Sequence, residues 1–292
     1  MDTGPANVAA LIAQTLDRPL SPDIGAIADH VRTRHEGVAA ILAYGSCLRG
    51  VGTEDTLIDL YVLMESDEGI SRNPFSRIAA RYVPPNVYYA EMTNAGRTLR
   101  CKYAVMTLDA FAERMKSRTR NPYFWARFSQ PSALVYAADP ASREQVVSAL
   151  ADAVTTMYGV ALASAPAGSP PADVWRLGFE ETYRTELRPE AGQRAGQIVA
   201  ANSSFYAEAA RLIDGPEILT VSWPQRRLHG KLLSVARLIK AAFTFEGGAS
   251  YAAWKIERHS GEKIILTPWQ QRHPVLAGLM LLPRLLRRGA IK

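Results

Sequence analysis

Two apolar runs joined by a short loop dominate the hydrophobic pattern of residues 41–64. The first run ends in Gly45-Ser46, and the second has a single acid, Asp59, embedded among large apolar residues. We interpret both runs as strands, and because side chains alternate along a strand, Asp59 should share a face with Tyr61. A buried carboxylate is costly unless a cation or hydrogen bonds compensate it, so Asp59 predicts either a ligand site or a paired structural acid.

The rest of the first half alternates between helical and strand-like patterns, which indicates a mixed α/β domain. Residues 86–92 and 98–106 are rich in β-branched and aromatic residues, and they flank the turn-like sequence Asn94-Ala95-Gly96. They predict a hairpin that extends the sheet. Helical spacing predicts two short helices within residues 6–35 and further helices over residues 74–82, 108–115 and 123–128.

The second half of the chain has a helical pattern. A helix is predicted from Asp139 toward Tyr158, and a stretch rich in Pro, Ser and Ala follows it. Helical spacing then returns over residues 174–187, 195–213 and 226–243. We therefore predict an α/β domain over residues 1–163, a linker over residues 164–172, a helical domain over residues 173–265 and an amphipathic helix over residues 266–292.

The C-terminal segment, residues 266–292, combines apolar and basic side chains in a pattern typical of a membrane-surface helix. No run of about 18 apolar residues occurs in the chain, so no membrane span is predicted. Arginines such as Arg284, Arg287 and Arg288 would contact anionic headgroups and give salt-sensitive attachment. The alternative is a terminal helix that docks on the helical domain and leaves its arginines in solvent. Asp2 and the lack of a basic N-terminal region predict no secretory signal.

The net charge indicates the class of partner, and the number of cysteines indicates the redox compartment. The net charge of +6 favours an anionic partner such as a nucleotide, a nucleic acid or an acidic membrane surface. Cys47 and Cys101 are the only cysteines. Two cysteines form neither a disulfide framework nor a zinc site, so a reducing compartment is expected.

The Gly45-Ser46 turn and Asp59 together have the composition of a nucleoside triphosphate site. Glycine lets the backbone approach a phosphate, and the serine hydroxyl is able to bond its oxygens. Asp59 on the following strand would hold the Mg²⁺ that bridges the phosphates. This is the nucleotidyltransferase arrangement, except that Tyr61 stands where that superfamily usually has a second acid. A plain turn beside a hydrogen-bonded strand acid is the structural alternative.

Several short stretches, in order over most of the chain, carry a family resemblance: AYGSCLRG, LIDLYVLM, CKYAVM, YFWARFSQP, TYRTELRPEAGQRAGQIV and RLIKAAFTFEGGASYAAWKIER. Their content and spacing are similar to those of the mitochondrial translocator-assembly-and-maintenance type of phosphatidate cytidylyltransferase and its bacterial relatives. Two positions depart from the family pattern. Cys47 stands where the family has glycine, and Arg100 stands where an acid is expected before Lys102 and Tyr103.

The resemblance implies a polymerase-β-like nucleotidyltransferase domain with a mixed α/β sheet, followed by a helical domain. It implies Mg²⁺-dependent transfer of CMP from CTP to phosphatidate, which yields CDP-diacylglycerol and pyrophosphate in phospholipid biosynthesis. It also implies a cytoplasmic protein attached peripherally to the inner face of the cell membrane. The expected partners are CTP, phosphatidate and an anionic membrane surface, and no nucleic acid is expected.

Candidate site residues follow from the residue chemistry and from the resemblance. Asp59 is the predicted metal ligand and Lys102 the cation that neutralises phosphate charge, and both are assigned as catalytic. Glu91, on the neighbouring strand, is the predicted second metal ligand. For Lys102 and Glu91 the alternative is a solvated strand residue. The predicted substrate-binding residues are Tyr44, Gly45, Ser46, Tyr103, Arg188, Arg194, Lys231 and Lys240, of which the last four would otherwise form solvated basic faces.

Two other functions are consistent with the same residues. One is a nucleotidyltransferase that acts on a protein, an RNA or a small molecule, which gives no role to residues 266–292. The other is a catalytically inactive nucleotidyltransferase-like membrane adaptor. Tyr61 and Arg100, at positions where acids are expected, favour that second alternative.

Overall fold

A computed structural model describes residues 5–49, 57–71, 73–186, 191–213 and 215–244 of the 292-residue chain, with isolated positions between 248 and 270. These residues form a mixed α/β fold with a five-stranded mixed sheet and ten α-helices. The predicted fold class is therefore confirmed at the level of a mixed α/β fold.

The five-stranded sheet is the framework of the fold. Its strands are β1 (Val38–Tyr44), β2 (Ile58–Met64), β3 (Asn86–Asn94), β4 (Arg97–Thr107) and β5 (Ser132–Ala137). Their order in the sheet is β3-β4-β2-β1-β5, with β2 and β4 parallel and the other neighbours antiparallel. A parallel pair needs a crossover connection, and here a helix and β3 lie between β2 and β4 along the chain.

Several helices begin at residues that the sequence marks as caps. The side chains of Ser21, Asn73, Thr107 and Asp139 each accept a backbone N–H from the first turn of the helix that follows. The helices are α1 (Pro5–Leu16), α2 (Pro22–Arg32), α3 (Pro74–Tyr82), α4 (Leu108–Met115), α5 (Tyr123–Phe128), α6 (Pro140–Leu162), α7 (Pro171–Tyr183), α8 (Ala191–Ala201), α9 (Ser203–Leu212) and α10 (Trp223–Thr244).

Most predicted elements are present, and two differ from the sequence prediction. Strand β5 was not predicted, because it is short, directly follows Pro131 and has only partly buried residues over its last four positions. The single helix predicted over residues 195–213 is wrong, because the chain leaves the helical conformation at Asn202, with φ −134°. The Asn202 amide donates to the Ile198 carbonyl at 3.0 Å. Such a side-chain hydrogen bond competes with continuation of the helix.

The sheet has two covered faces because the side chains of its strands alternate. Tyr61 and Leu63 belong to the core formed with α4, α5 and α6, whereas Leu60 and Val62 belong to the core formed with α2. Asp59 precedes Tyr61 by two residues, so it lies on the Tyr61 face, as predicted. The Asp59 side chain therefore points to the face of the sheet that α4, α5 and α6 cover.

Residues on both sides of the predicted linker, 164–172, belong to one hydrophobic core. Trp175 on α7 is fully buried, and its ring centroid lies 4.9 Å from that of Tyr158 on α6. Its Nε1 donates to the Tyr206 carbonyl on α9 at 3.0 Å. The helices therefore pack continuously with the α/β part, and the division into domains stays a prediction.

Among the described residues, α6 is the helix that is long and apolar enough to cross a membrane. It has 23 residues, and 67% of its most apolar stretch is buried inside the fold. The helix packs against α1, α4, α5 and α7. Its apolar composition thus matches its place in the core.

The predicted amphipathic helix, residues 266–292, lies almost entirely outside the described residues. Thr267 N donates to Gln270 Oε1 at 2.9 Å, and Gln270 N donates to Thr267 Oγ1 at 3.3 Å. This reciprocal pair is a capping box, which marks the N-terminus of a helix. Trp269 and Gln270 are helical, and Trp269 is 43% exposed.

Candidate functional site

The first strand ends in a turn that favours glycine. After Tyr44 the backbone takes φ +83° at Gly45 and enters a 3-10 turn, Gly45–Arg49. Residues with a Cβ are strained at this φ. A Cβ at Gly45 would lie 3.6 Å from Asp59 Oδ2, so the turn lies directly beside the carboxylate. Cys47, where the resemblance predicts glycine, is buried and donates its thiol to the Tyr44 carbonyl at 3.2 Å, so it packs beneath the turn.

The register of the parallel strands places a lysine beside the acid. Asp59 on β2 is level with Lys102 on β4. Lys102 Nζ lies 3.5 Å from Asp59 Oδ1, and the two side chains are 35% and 23% exposed. The Asp59 Oδ1 atom is buried and accepts no hydrogen bond from the described residues. Lys102 compensates the charge of this oxygen without a hydrogen bond, so Oδ1 keeps the capacity to bind a cation.

One cavity, which we call the Asp59 cavity, gathers many of the predicted residues. It has a volume of about 220 Å³. The predicted residues in its wall are Tyr44, Gly45, Ser46, Asp59, Lys102 and Arg194. The residues in its wall that sequence reasoning missed are Tyr123, Arg127, Gln130, Tyr183 and Glu186.

Arg127 brings a cation to this cavity from α5. Its guanidinium lies 5.2 Å from the ring centroid of Tyr44 and 4.6 Å from that of Tyr123. Burial lowers the pKa of Arg127, whereas its tyrosine neighbours and the Glu186 carboxylate raise it, so the guanidinium stays protonated. Burial raises the pKa of Tyr44 despite the opposing effect of Arg127. The site therefore holds a charged guanidinium beside neutral phenols. A basic residue within a short aromatic helix was the sequence signal for it.

Glu186 brings a second carboxylate to the Asp59 cavity from just beyond the end of α7. Among the described residues, no group of three or more His, Cys, Asp or Glu side chains gathers at one place. Mg²⁺ is usually held by one or two carboxylates together with substrate phosphates and water. Asp59, with its buried Oδ1, and Glu186 fit a magnesium ion that enters with a polyphosphate.

The structure does not bring Glu91 to this cavity. Strand β4 lies between β2 and β3, so a whole strand separates Glu91 from Asp59. Glu91 Oε2 accepts from the Tyr89 hydroxyl at 3.1 Å and lies 3.7 Å from Arg100 Nε. The Glu91 side chain is half exposed at the sheet edge, where Arg100 partly neutralises it.

Tyr103 lies on the opposite face of the sheet from the cavity. It follows Lys102 directly in β4, and adjacent strand residues point to opposite faces. Its ring centroid lies 5.4 Å from that of Tyr88 and 5.8 Å from that of His35. Burial raises the pKa of Tyr103 to about 12, although Arg34 lowers it. Tyr103 therefore packs in the core beneath α2.

Three predicted basic residues are not placed in the Asp59 cavity. Lys231 is exposed on α10. Lys240, near the end of α10, donates to the carbonyls of Val83 and Pro85, the latter at 2.6 Å. It therefore fastens α10 to the turn before β3. Arg188 lies outside the described residues.

Lys240 should make stability depend on pH above neutrality. Burial, together with the neighbouring Arg237, lowers the pKa of Lys240 from 10.5 to about 8. Below pH 8 both the folded and the unfolded state bind the proton, whereas between pH 8 and 10.5 the unfolded state alone keeps it. By linkage, the free energy of unfolding rises with pH in that window. Relative to Lys240→Met, the wild type should gain about 2–3 kcal/mol across it, as measured by urea unfolding.

The control for this pH dependence is Lys231→Met, which removes an exposed lysine from the same helix. The stability difference between this variant and the wild type should not change with pH over the same range. A flat difference for Lys240→Met as well would contradict the expected pKa of Lys240.

No protein-family model and no curated protein matches the chain. The cations Lys102, Arg127 and Arg194 lie around the carboxylates Asp59 and Glu186 at a glycine turn. This charge pattern suits a polyphosphate that enters with a divalent cation, because the cations neutralise phosphate oxygens and the carboxylates hold the metal.

Proposed function

We propose that this chain is a Mg²⁺-dependent nucleotidyltransferase, and specifically a phosphatidate cytidylyltransferase that transfers CMP from CTP to phosphatidate. The observation that carries the class is one cavity in which the Gly45-Ser46 turn, Asp59 and several cations converge. The proposed fold is polymerase-β-like. A strand, a glycine turn and a second strand with an acid near its start, in a mixed sheet, support that assignment.

Five of the six stretches that carry the family resemblance contribute residues to this cavity, and this supports the choice of CTP and phosphatidate. The sixth, RLIKAAFTFEGGASYAAWKIER, contributes none of its described residues. The stretch LIDLYVLM contributes Asp59, and CKYAVM contributes Lys102. The stretch YFWARFSQP contributes Arg127, and TYRTELRPEAGQRAGQIV contributes Glu186 and Arg194. Motifs far apart in sequence are expected to converge in this way when they serve one reaction.

In the proposed reaction, an oxygen of the acceptor phosphate attacks the α-phosphorus of CTP. A new P–O bond forms as the bond from the α-phosphorus to the bridging oxygen breaks, and pyrophosphate leaves with the electron pair. A phosphate monoester is already anionic at neutral pH, so positioning and charge neutralisation carry most of the catalysis. Lys102, Arg127 and Arg194 neutralise the triphosphate and the leaving group. Asp59 and Glu186 would hold Mg²⁺, which would supply further charge neutralisation.

Incubation of the purified protein with CTP, Mg²⁺ and phosphatidate in mixed micelles tests the proposal. We expect CDP-diacylglycerol and pyrophosphate in equal amounts, and loss of both when a chelator removes Mg²⁺. Transfer of CMP to other acceptors but not to phosphatidate would support the nucleotidyltransferase class and refute phosphatidate as the acceptor. If no nucleotide reacts, and calorimetry detects no CTP binding with Mg²⁺, the chain is not an enzyme of this class.

Arg127→Gln should weaken nucleotide binding. The substitution removes a cation that Tyr44 and Tyr123 hold in place, so the KM for CTP should rise about ten- to a hundredfold. Arg127→Lys restores the charge but not the planar group that stacks on the rings, so we expect partial recovery. Arg176→Gln, at an exposed position of α7, is the matched control and should leave the KM unchanged. A KM for CTP within twofold of wild type in Arg127→Gln would refute this role.

The basic residues of the C-terminal segment should hold the protein on anionic vesicles. Replacing Arg284, Arg287 and Arg288 by Gln should reduce co-flotation with phosphatidate-containing vesicles at least tenfold, because each basic residue near such a surface contributes about 1 kcal/mol. Raising the salt concentration should release the wild type as well. CTP binding serves as the control and should not change. Flotation of the variant equal to that of the wild type would contradict membrane attachment through this segment.

A further inference from the structure

A second cavity, of about 450 Å³, adjoins the first. Gly45 and Gln130 line both cavities. The Gln130 side chain is fixed there, because its Nε2 donates to the Ala126 carbonyl at 2.6 Å and to the Tyr183 hydroxyl at 3.3 Å. A glycine and an anchored amide thus form the partition between the two cavities.

The lining of this second cavity, which we call the Arg18 cavity, places a cation beside apolar groups. Arg18 follows α1, and its guanidinium makes no hydrogen bond or ion pair with the other described residues. Its neighbour Asp17, in contrast, is paired with Arg143 at 2.7 Å. Apolar parts of the wall come from Leu48, Pro131 and Ala201, and Gln130 and Asn202 add polar groups, so the lining as a whole is more polar than apolar.

This lining suits a ligand with an anionic head and an apolar body. A guanidinium without a protein partner, in a concave site, matches the geometry of a phosphate group. Apolar walls gain from contact with a hydrocarbon substituent, as is common in small-molecule sites. A phosphate monoester that carries an acylated glycerol has both parts.

We propose that the Arg18 cavity is the acceptor subsite, in which Arg18 binds the phosphate monoester of the acceptor and presents it past Gly45 to the nucleotide in the Asp59 cavity. The assignment rests on the proposed function, because in-line displacement needs the attacking oxygen to come from a pocket that adjoins the nucleotide. The competing occupant is the cytidine half of CTP. Cytidine carries no anion for Arg18 to bind.

Binding of dihexanoyl phosphatidate, a water-soluble acceptor, tests the Arg18 cavity without a membrane. By calorimetry, we expect Arg18→Gln to weaken this binding about ten- to a hundredfold, because a direct contact to a charged phosphate is lost. Arg18→Lys should restore part of it. Binding of CTP with Mg²⁺ should stay within twofold of the wild type in both variants. Arg211→Gln, which removes the same charge from an exposed position of α9, is the matched control and should change neither ligand.

A second variant fills the cavity without changing its charge. Ala201 is exposed at the end of α8 and lines the Arg18 cavity, so Ala201→Leu should fold normally. It should weaken dihexanoyl phosphatidate binding severalfold and leave CTP binding unchanged. The proposal is overturned if the wild type does not bind dihexanoyl phosphatidate or if Arg18→Gln leaves that binding unchanged. It is also overturned if the variants weaken CTP as much as phosphatidate, which would assign the cavity to the nucleotide.

The outcome is separable from that of the proposed function. Failure of CMP transfer with every acceptor, while binding of dihexanoyl phosphatidate still depends on Arg18, would refute the proposed function and support the phosphate subsite. If the wild type transfers CMP and Arg18→Gln leaves the KM for phosphatidate unchanged, the subsite is refuted and the proposed function is supported.

Discussion

Asparagine in place of Asp59 is expected to reduce the kcat for CMP transfer at least about a thousandfold. The substitution keeps the shape of the side chain but removes the charge that pairs with Lys102 and that we propose holds the metal. Since Asp59 Oδ1 is buried and accepts no hydrogen bond from the described residues, a neutral amide should disturb the fold little. We expect the free energy of unfolding to stay within about 1 kcal/mol of the wild type. Pyrophosphate release and urea unfolding measure the two effects.

The control for this substitution is Asp29→Asn on α2. Asp29 is an exposed carboxylate 3.5 Å from Arg32 on the same helix, so its loss should leave transfer unchanged. Glu186→Gln should have an intermediate effect and raise the Mg²⁺ concentration needed for half-maximal rate, since Asp59 would remain as a ligand. Transfer by Asp59→Asn within tenfold of the wild type would contradict the role given to this residue.

Removal of the Trp175 side chain is expected to lower the free energy of unfolding by about 3–5 kcal/mol. The ring is fully buried, and its centroid lies 4.9 Å from that of Tyr158 and 5.0 Å from that of Tyr206. Trp175→Ala leaves a cavity between α6, α7 and α9, and it also leaves the Tyr206 carbonyl without its donor. Urea unfolding followed by circular dichroism measures the loss.

The same experiment tests whether the two sides of the predicted linker unfold together. Because α6 and α7 share one core, we expect a single cooperative transition that moves as a whole in Trp175→Ala. Two transitions, with one of them moved, would support an independent helical domain over residues 173–265. Leu228→Ala, at a 64% exposed position of α10, is the control and should change stability by less than about 0.5 kcal/mol.

The fold could be predicted from the sequence where its signals are local. Asn73 and Pro74 mark the start of α3 by a cap and a first-turn proline, so that helix lies where it was predicted. The break at Asn202 was hidden because helical spacing continues across it, and a single side-chain hydrogen bond interrupts the helix. Strand β5 owes its conformation to pairing with β1, which its own short pattern does not reveal.

The site residues that lie on strands could be predicted from the sequence, whereas those contributed by α5 and by the end of α7 could not. Asp59 and Lys102 meet through the regular register of two strands. Arg127 and Glu186 reach the cavity through the packing of α5 and α7 against each other and against α6, which no spacing in the sequence records. Tyr61, where a second acid was expected, is fully buried and packs edge-to-face on Phe128, so that position belongs to the core. The second carboxylate comes from Glu186, in another part of the chain.

The side chains of β2 and β4 disfavour a shift in the register of the two parallel strands. Asp59 is level with Lys102, whereas the neighbours of that lysine, Cys101 and Tyr103, are buried in the opposite core. A slip of one residue would turn Lys102 into that apolar core and leave Asp59 facing no cation from β4, which is strongly unfavourable for both charges. The buried neighbours of Lys102 therefore fix the register, and that register keeps the two charges proposed for the reaction side by side on one face of the sheet.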